Sequence, residues 1–113
     1  MSGPQLPLKI LPKAATDIKQ ILKYTQRVWG NEQRKKYKAA IDRCLKDIQA
    51  NPSPRIKSED YSNGYFRRHL DKKYRHYVFY RVTSNSIVIV RLLHDSRESG
   101  QHLPERGHYN IKL

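Results

Sequence analysis

Two runs of β-branched and aromatic residues constrain this chain more than any other feature: Tyr77-Val78-Phe79-Tyr80-Arg81-Val82 and Ile87-Val88-Ile89-Val90-Arg91-Leu92-Leu93. Thr83-Ser84-Asn85-Ser86 lies between them, and small polar residues are what a tight turn uses. The pair reads as a β-hairpin. With Ser84-Asn85 as a two-residue loop, Val82 faces Ile87, Tyr80 faces Ile89 and Val78 faces Arg91. Side chains alternate along a strand, so one face carries Tyr77, Phe79, Arg81, Val88, Val90 and Leu92. The other carries Val78, Tyr80, Val82, Ile87, Ile89, Arg91 and Leu93. Both faces are apolar, and each includes one arginine. A two-layer domain has helices for only one face. The second face is therefore expected to need another cover or a partner.

The chain before the hairpin supplies the helices. Leu6–Leu11 reads as a first strand, with Leu6, Leu8 and Ile10 on one side and Pro7 favouring a sheet edge. Pro12 suits the first turn of a helix, where its missing N–H would be unpaired anyway. Ala14, Ile18, Ile21, Leu22, Thr25, Val28 and Trp29 then recur at helical spacing. Gly30 can end that helix in the left-handed conformation. Asn31 reads as the N-cap of a second helix, with Glu32 in its first turn. Tyr37, Ile41, Cys44 and Ile48 mark its buried stripe, and Asn51-Pro52 ends it. Helices joined by so short a link must run antiparallel. Residues 51–63 read as a loop, Gly64–Leu70 as a strand and Asp71-Lys72-Lys73 as a turn. The fold class is α+β in two layers. Four antiparallel strands are expected in the order 1-4-3-2, with the helical hairpin on one face. Residues 1–103 form a single domain and 104–113 a tail or a short extra strand.

At 113 residues the chain has room for one domain and one core. Lys and Arg number 23 against 10 Asp and Glu, a formal charge of +13. That charge favours an acidic partner, whether nucleic acid, an anionic membrane surface or an acidic protein segment. One cysteine, Cys44, excludes an internal disulfide and reads as a small core hydrophobe. No signal peptide or membrane span is apparent, so a cytoplasmic protein without membrane attachment is expected.

No metal motif, phosphate loop or nucleophile motif stands out, and no cofactor is expected. The arginines and tyrosines of the strands are more suggestive. Arg67, Arg68, Arg81 and Arg91, with Tyr65, Tyr77, Tyr80 and His94, can face phosphate or carboxylate, the anions that arginine forks pair with bidentately. The plainer reading makes the tyrosines packing residues and lays the arginine stems along apolar surface. Trp29 reads as a core anchor or, exposed beside Gly30-Asn31, as a contact residue.

Taken in order, several segments resemble one family. They are Ala15-x-Asp17-Ile18-x-x-Ile21-x-x-Tyr24, Trp29-Gly30-x-x-Gln33-x-x-x-Tyr37, Asn51-Pro52 and Gly64-Tyr65-x-Arg67-Arg68. His76-Tyr77-Val78-Phe79-Tyr80-Arg81-Val82 and Ile89-Val90-Arg91-Leu92-Leu93-His94 complete the set. Together they are similar to the ParE toxins of the ParE/RelE superfamily over about residues 8–103. The resemblance implies a RelE-like fold and the toxin half of a toxin–antitoxin operon, plasmid- or chromosome-borne. It implies a non-catalytic inhibitor of DNA gyrase, neutralised by a ParD-like antitoxin whose acidic, amphipathic segment covers the second sheet face. Antitoxin contacts are then expected at Trp29, Tyr80, Arg81 and Arg91, and target contacts at His94, Arg97, His102 and Leu103. Nucleic acid enters only indirectly, through operator DNA held by the antitoxin and DNA held by gyrase. The alternative is a ribosome-dependent mRNA endonuclease using Arg67, Arg81, Arg91 and His94. Asp95, a carboxylate where a phosphate would approach, argues against that alternative.

Overall fold

Pro12 and Gly30 bound the first helix as their chemistry requires. The computed structural model describes residues 5–71 and 73–95. Strand β1 covers Leu8–Ile10, helix α1 Pro12–Trp29 and helix α2 Asn31–Ala50. A 3₁₀ turn at Lys57–Glu59 leads into β2 (Asp60–Ser62), β3 (Tyr65–Asp71), β4 (Tyr74–Val82) and β5 (Ile87–His94). Gly30 has φ +97°, and its amide donates to the Gln26 carbonyl while its own carbonyl accepts from Arg34. One glycine thus closes α1 and opens α2, because it adopts a left-handed φ without Cβ strain. Asn31 is therefore the first helical residue, not the cap expected from its type.

The stripe of α2 packs as its spacing requires, with Ala40, Ile41, Cys44, Leu45 and Ile48 buried. Each large aliphatic side chain so buried contributes about 1.5–3 kcal/mol relative to exposure. The stripe of α1 stops early. Ala14, Leu22 and Thr25 are buried, but Val28 and Trp29 are 46% and 69% exposed. Trp29 is thus a surface residue, not a core anchor, because α1 runs on past the edge of the layer beneath it.

The sheet is mixed, in the order β1-β5-β4-β3-β2. It differs from the expected sheet in three ways. First, a fifth strand, β2, pairs antiparallel with β3 across Asn63 and Gly64, both at positive φ. Second, β1 runs parallel to β5, whereas every strand was expected antiparallel. The overlooked β2–β3 hairpin adds one chain reversal, so every later strand points opposite to expectation. Third, the central hairpin slips. Val82 faces Ile87 and Tyr80 faces Ile89 as expected, but Phe79 faces Arg91 and Val78 faces Leu92. The bulge places one extra residue in β5, and beyond it the alternation of faces inverts. Leu92 accordingly joins the helix-side core with Val78, Tyr80, Ile87 and Ile89, while Leu93 joins the opposite cluster.

That opposite cluster corrects the expectation of an open second face. Leu11, Tyr65, Phe79, Val88, Val90 and Leu93 are all buried in the isolated chain. Tyr61 and Tyr77 pack against them, and the Arg67 guanidinium lies 5.1 Å over the Tyr61 ring and 4.5 Å over that of Tyr77. β2, absent from the expected topology, carries Tyr61 to this position. No helix among the described residues is long and apolar enough to cross a membrane.

Candidate partner-binding groove

Where α1 overruns the sheet, the chain opens instead of closing. A groove of about 1060 Å³ lies between the helices and one end of the sheet. From α1 it takes Gln20, Ile21, Tyr24, Thr25 and Trp29, and from α2 Gln33 and Tyr37. Tyr74, Arg75, His76 and His94 close it from the start of β4 and the end of β5, with Lys73 at the rim. Tyr24 is 54% exposed and, with Trp29, presents an aromatic wall to solvent. Among the described residues no carboxylate lines the groove; its unpaired charge is carried by Lys73, since the Arg75 guanidinium is bound by Asp95 just outside the lining.

The floor is ordered by a polar contact inside an aromatic cluster. The Tyr37 hydroxyl lies 2.5 Å from His76 Nδ1, and the Tyr37 and Tyr74 rings meet edge-on at 4.5 Å. Burial, with a smaller contribution from His94, pushes the His76 pKa down to about 4. Burial likewise pushes the Tyr37 phenol up to about 12. At neutral pH the phenol is therefore the donor, the imidazole is neutral, and Nδ1 accepts. His94 stands opposite His76 in the ladder, with their rings edge-on at 5.2 Å. Asp95 is bound bidentately by Arg75, with both contacts at 3.1 Å, and those hydrogen bonds hold its carboxyl below the usual range.

Elsewhere the arginines are structural. Arg68 is 1% exposed and donates to Asp47 Oδ2, to the Ser53 carbonyl and to the Tyr80 hydroxyl, each at 3.2 Å. Tyr80 in turn donates to the Pro52 carbonyl at 2.8 Å. Glu59 lies 3.6 Å from Arg68 Nε and accepts from the Arg55 amide and guanidinium. Burial opposes ionisation of Glu59, but the Arg55 hydrogen bonds and the Arg68 charge outweigh it and lower the pKa. This network fastens the 51–59 loop to α2 and β3. Arg91 pairs bidentately with Asp17 of α1 at 2.7 and 3.0 Å, and Asp17 also accepts from the Leu92 amide.

The chain matches the family described as "ParE toxin of type II toxin-antitoxin system, parDE" over residues 8–99. It belongs to the ParE toxin family. Among curated proteins it is similar to Toxin ParE1 of Caulobacter vibrioides, at 30% identity over 97 residues, covering 86% of this chain and 97% of that one. Among solved structures it resembles the chromosomal ParDE toxin–antitoxin system from P. aeruginosa, with TM-score 0.67 and 24% identity over 80% of this chain and 96% of that one. A DinJ-YafQ toxin–antitoxin complex from E. coli matches with TM-score 0.53 at 12% identity, covering 82% of this chain and 96% of that one. The shared architecture is the RelE-like α+β fold, and the chain is a ParE toxin of a type II toxin–antitoxin system.

On this ParE fold the residues singled out from sequence fall in separate settings. Of the antitoxin set, Trp29 is exposed on the groove wall, Tyr80 is fully buried and Arg91 is closed onto Asp17. Arg81 is half-buried on β4, opposite Val88. Tyr80 is a structural hydroxyl and not a surface group, because strand alternation puts it with Val78 and Val82 on the helix side, where it meets Arg68. Of the alternative catalytic set, Arg67 lies over two tyrosine rings, whereas His94 is in the groove. Of the target-binding set His94 alone is described; Arg97, His102 and Leu103 lie outside the described residues, as does the boundary at residue 103. The groove residues missed from sequence were Tyr24, Gln33, Tyr37, Tyr74 and His76. Tyr24 and Trp29 sit five apart at the open end of α1, and that is the signal they carried.

Proposed function

We propose that this toxin acts on DNA gyrase and is silenced by a ParD-like antitoxin, which lays an apolar, carboxylate-bearing segment along the Tyr24–Trp29–His94 groove. The observation that supports the antitoxin half most is the groove itself. Its aromatic walls are exposed in the isolated chain, no carboxylate lines it among the described residues, and Lys73 places a positive charge at its rim. Burying Tyr24 and Trp29 supplies the hydrophobic gain, at about 25 cal/mol per Å². Acidic side chains of the partner then meet Lys73 at the rim, where charge sets orientation and association rate. Such a segment binds as a helix or strand in a groove, a mode open to disordered partners. The gyrase half is supported by membership in the ParE family.

Induced expression in bacteria tests the target. Cleaved DNA–gyrase complexes should accumulate, and gyrase variants should confer resistance. Rapid cleavage of mRNA in the ribosomal A site would reject gyrase in favour of a ribonuclease. One observation favours that second reading: Asp95, beside His94, is already neutralised by Arg75 and so repels a phosphate less. Against it, Arg91 is held by Asp17 instead of facing His94. A small acidic protein in the neighbouring reading frame is expected of the antitoxin.

A further inference from the structure

The two helices spend their carboxylates unevenly. Asp17 faces Arg91 of the sheet, and Asp47 faces Arg68 and Arg55. Glu32 and Asp42 each meet a single neighbouring lysine, Lys35 and Lys38. Lys19, Lys23 and Arg27 step by four along the side of α1 opposite its buried stripe. Lys36, Arg43 and Lys46 hold the matching side of α2, seven and then three residues apart. All six are exposed, and none has a carboxylate partner among the described residues. Since both helices bury their other side against the sheet, these rows lie on the outer surface of the helical layer, away from β1–β5.

We propose that this outer face of the helical hairpin binds the phosphate backbone of double-stranded DNA directly and without sequence preference. Two rows of cations on adjacent antiparallel helices match a polyanion of regular charge spacing, and their gain comes from counterion release. Single-stranded nucleic acid fits less well, because it needs aromatic platforms for its bases. The rows themselves supply none: Tyr24, its ring 5.6 Å from the Arg27 guanidinium at the edge of the face, and Trp29 line the groove. An anionic bilayer fits less well too, since the face has no apolar wedge to insert. Nothing in the proposal depends on gyrase being the target. Such direct contact would add to the indirect role expected from sequence.

The test is fluorescence anisotropy of the full-length toxin, freed of antitoxin, with a labelled 20-base-pair DNA duplex over a range of salt. Binding should weaken with a log–log salt slope of about −3.6 to −5.4, as expected for four to six phosphate contacts, and two unrelated sequences should bind alike. Lys23→Gln with Arg43→Gln should cut affinity about tenfold and make the slope shallower by about 2, at 0.9 per contact. Lys9→Gln with Lys57→Gln removes the same charge elsewhere and should change affinity less than about twofold, because those side chains leave the phosphate contacts intact. Circular dichroism checks that both variants are folded. Equal losses from the two pairs would overturn the assignment to this face. So would tighter binding to duplex RNA, or to vesicles of anionic lipid, than to duplex DNA. Absence of binding at low salt would overturn the proposal outright.

Discussion

The far face of the sheet and the open end of α1 are both rich in apolar side chains, yet they meet water differently. Phe79, Val88, Val90 and Leu93 are buried within the chain, whereas Tyr24, Val28 and Trp29 stand out into solvent. The difference teaches that apolar pattern alone does not mark a partner surface. A strand face that looks surplus can be closed by β2, its tyrosine and an arginine stacked on it. A helix that continues past its supporting layer has nothing to close it. On this account the sheet's far face contributes to stability and the groove to recognition.

The sharpest way to break that division is to truncate one residue on each side of it. Phe79→Ala should cost about 3–5 kcal/mol in urea unfolding, as deletion of a fully buried aromatic does. Trp29→Ala should leave stability within about 0.5 kcal/mol, the usual range for a surface change. Equal losses would erase the distinction. Next comes the inner network. Arg68→Met leaves Glu59 without one of its two cations and Tyr80 without a donor, and should destabilise by about 3 kcal/mol. If it unfolds at the wild-type midpoint, the 51–59 loop is not held as described.

Acid should act on the groove floor. The His76 pKa of about 4 in the folded chain lies below its usual 6.5. Between those values the unfolded chain binds a proton that the folded chain refuses. Stability should be constant above about pH 6.5, as regards this group, and fall progressively toward pH 4. The loss is roughly 1–2 kcal/mol, reduced from the full shift because the ring is partly solvated. His76→Phe should flatten that part of the pH curve. An unchanged curve would mean His76 titrates normally. The smallest effect is expected from Tyr37→Phe, which deletes one hydrogen bond and should cost about 1 kcal/mol in thermal unfolding.

Much of this arrangement was legible in the residues. The stripe of α2, the bounds of both helices and the pairing of Val82 with Ile87 follow from spacing and from Pro12 and Gly30. The parallel edge strand did not, because it depends on counting chain reversals. The missing reversal was nonetheless written in Asn63-Gly64, the dipeptide a tight hairpin favours. The bulge between Ile89 and Arg91 was not readable, since every residue there suits either face. Nor was the groove, whose residues come from four elements and converge only in three dimensions. Asp17 and Arg91, 74 positions apart, show the same limit: a bidentate pair between the first helix and the last strand has no local signature.

The most direct measurement is calorimetric titration of the toxin with the antitoxin encoded beside it. The comparison is between wild type, Trp29→Ala with Tyr24→Ala, and an Arg81→Glu variant, all confirmed folded. If the groove receives the antitoxin, the aromatic pair should weaken binding at least about 30-fold, the scale of a buried hot spot, and Arg81→Glu should weaken it less. Wild-type affinity in the Trp29/Tyr24 variant, with a large loss at Arg81, would place the contact on the sheet and contradict the account.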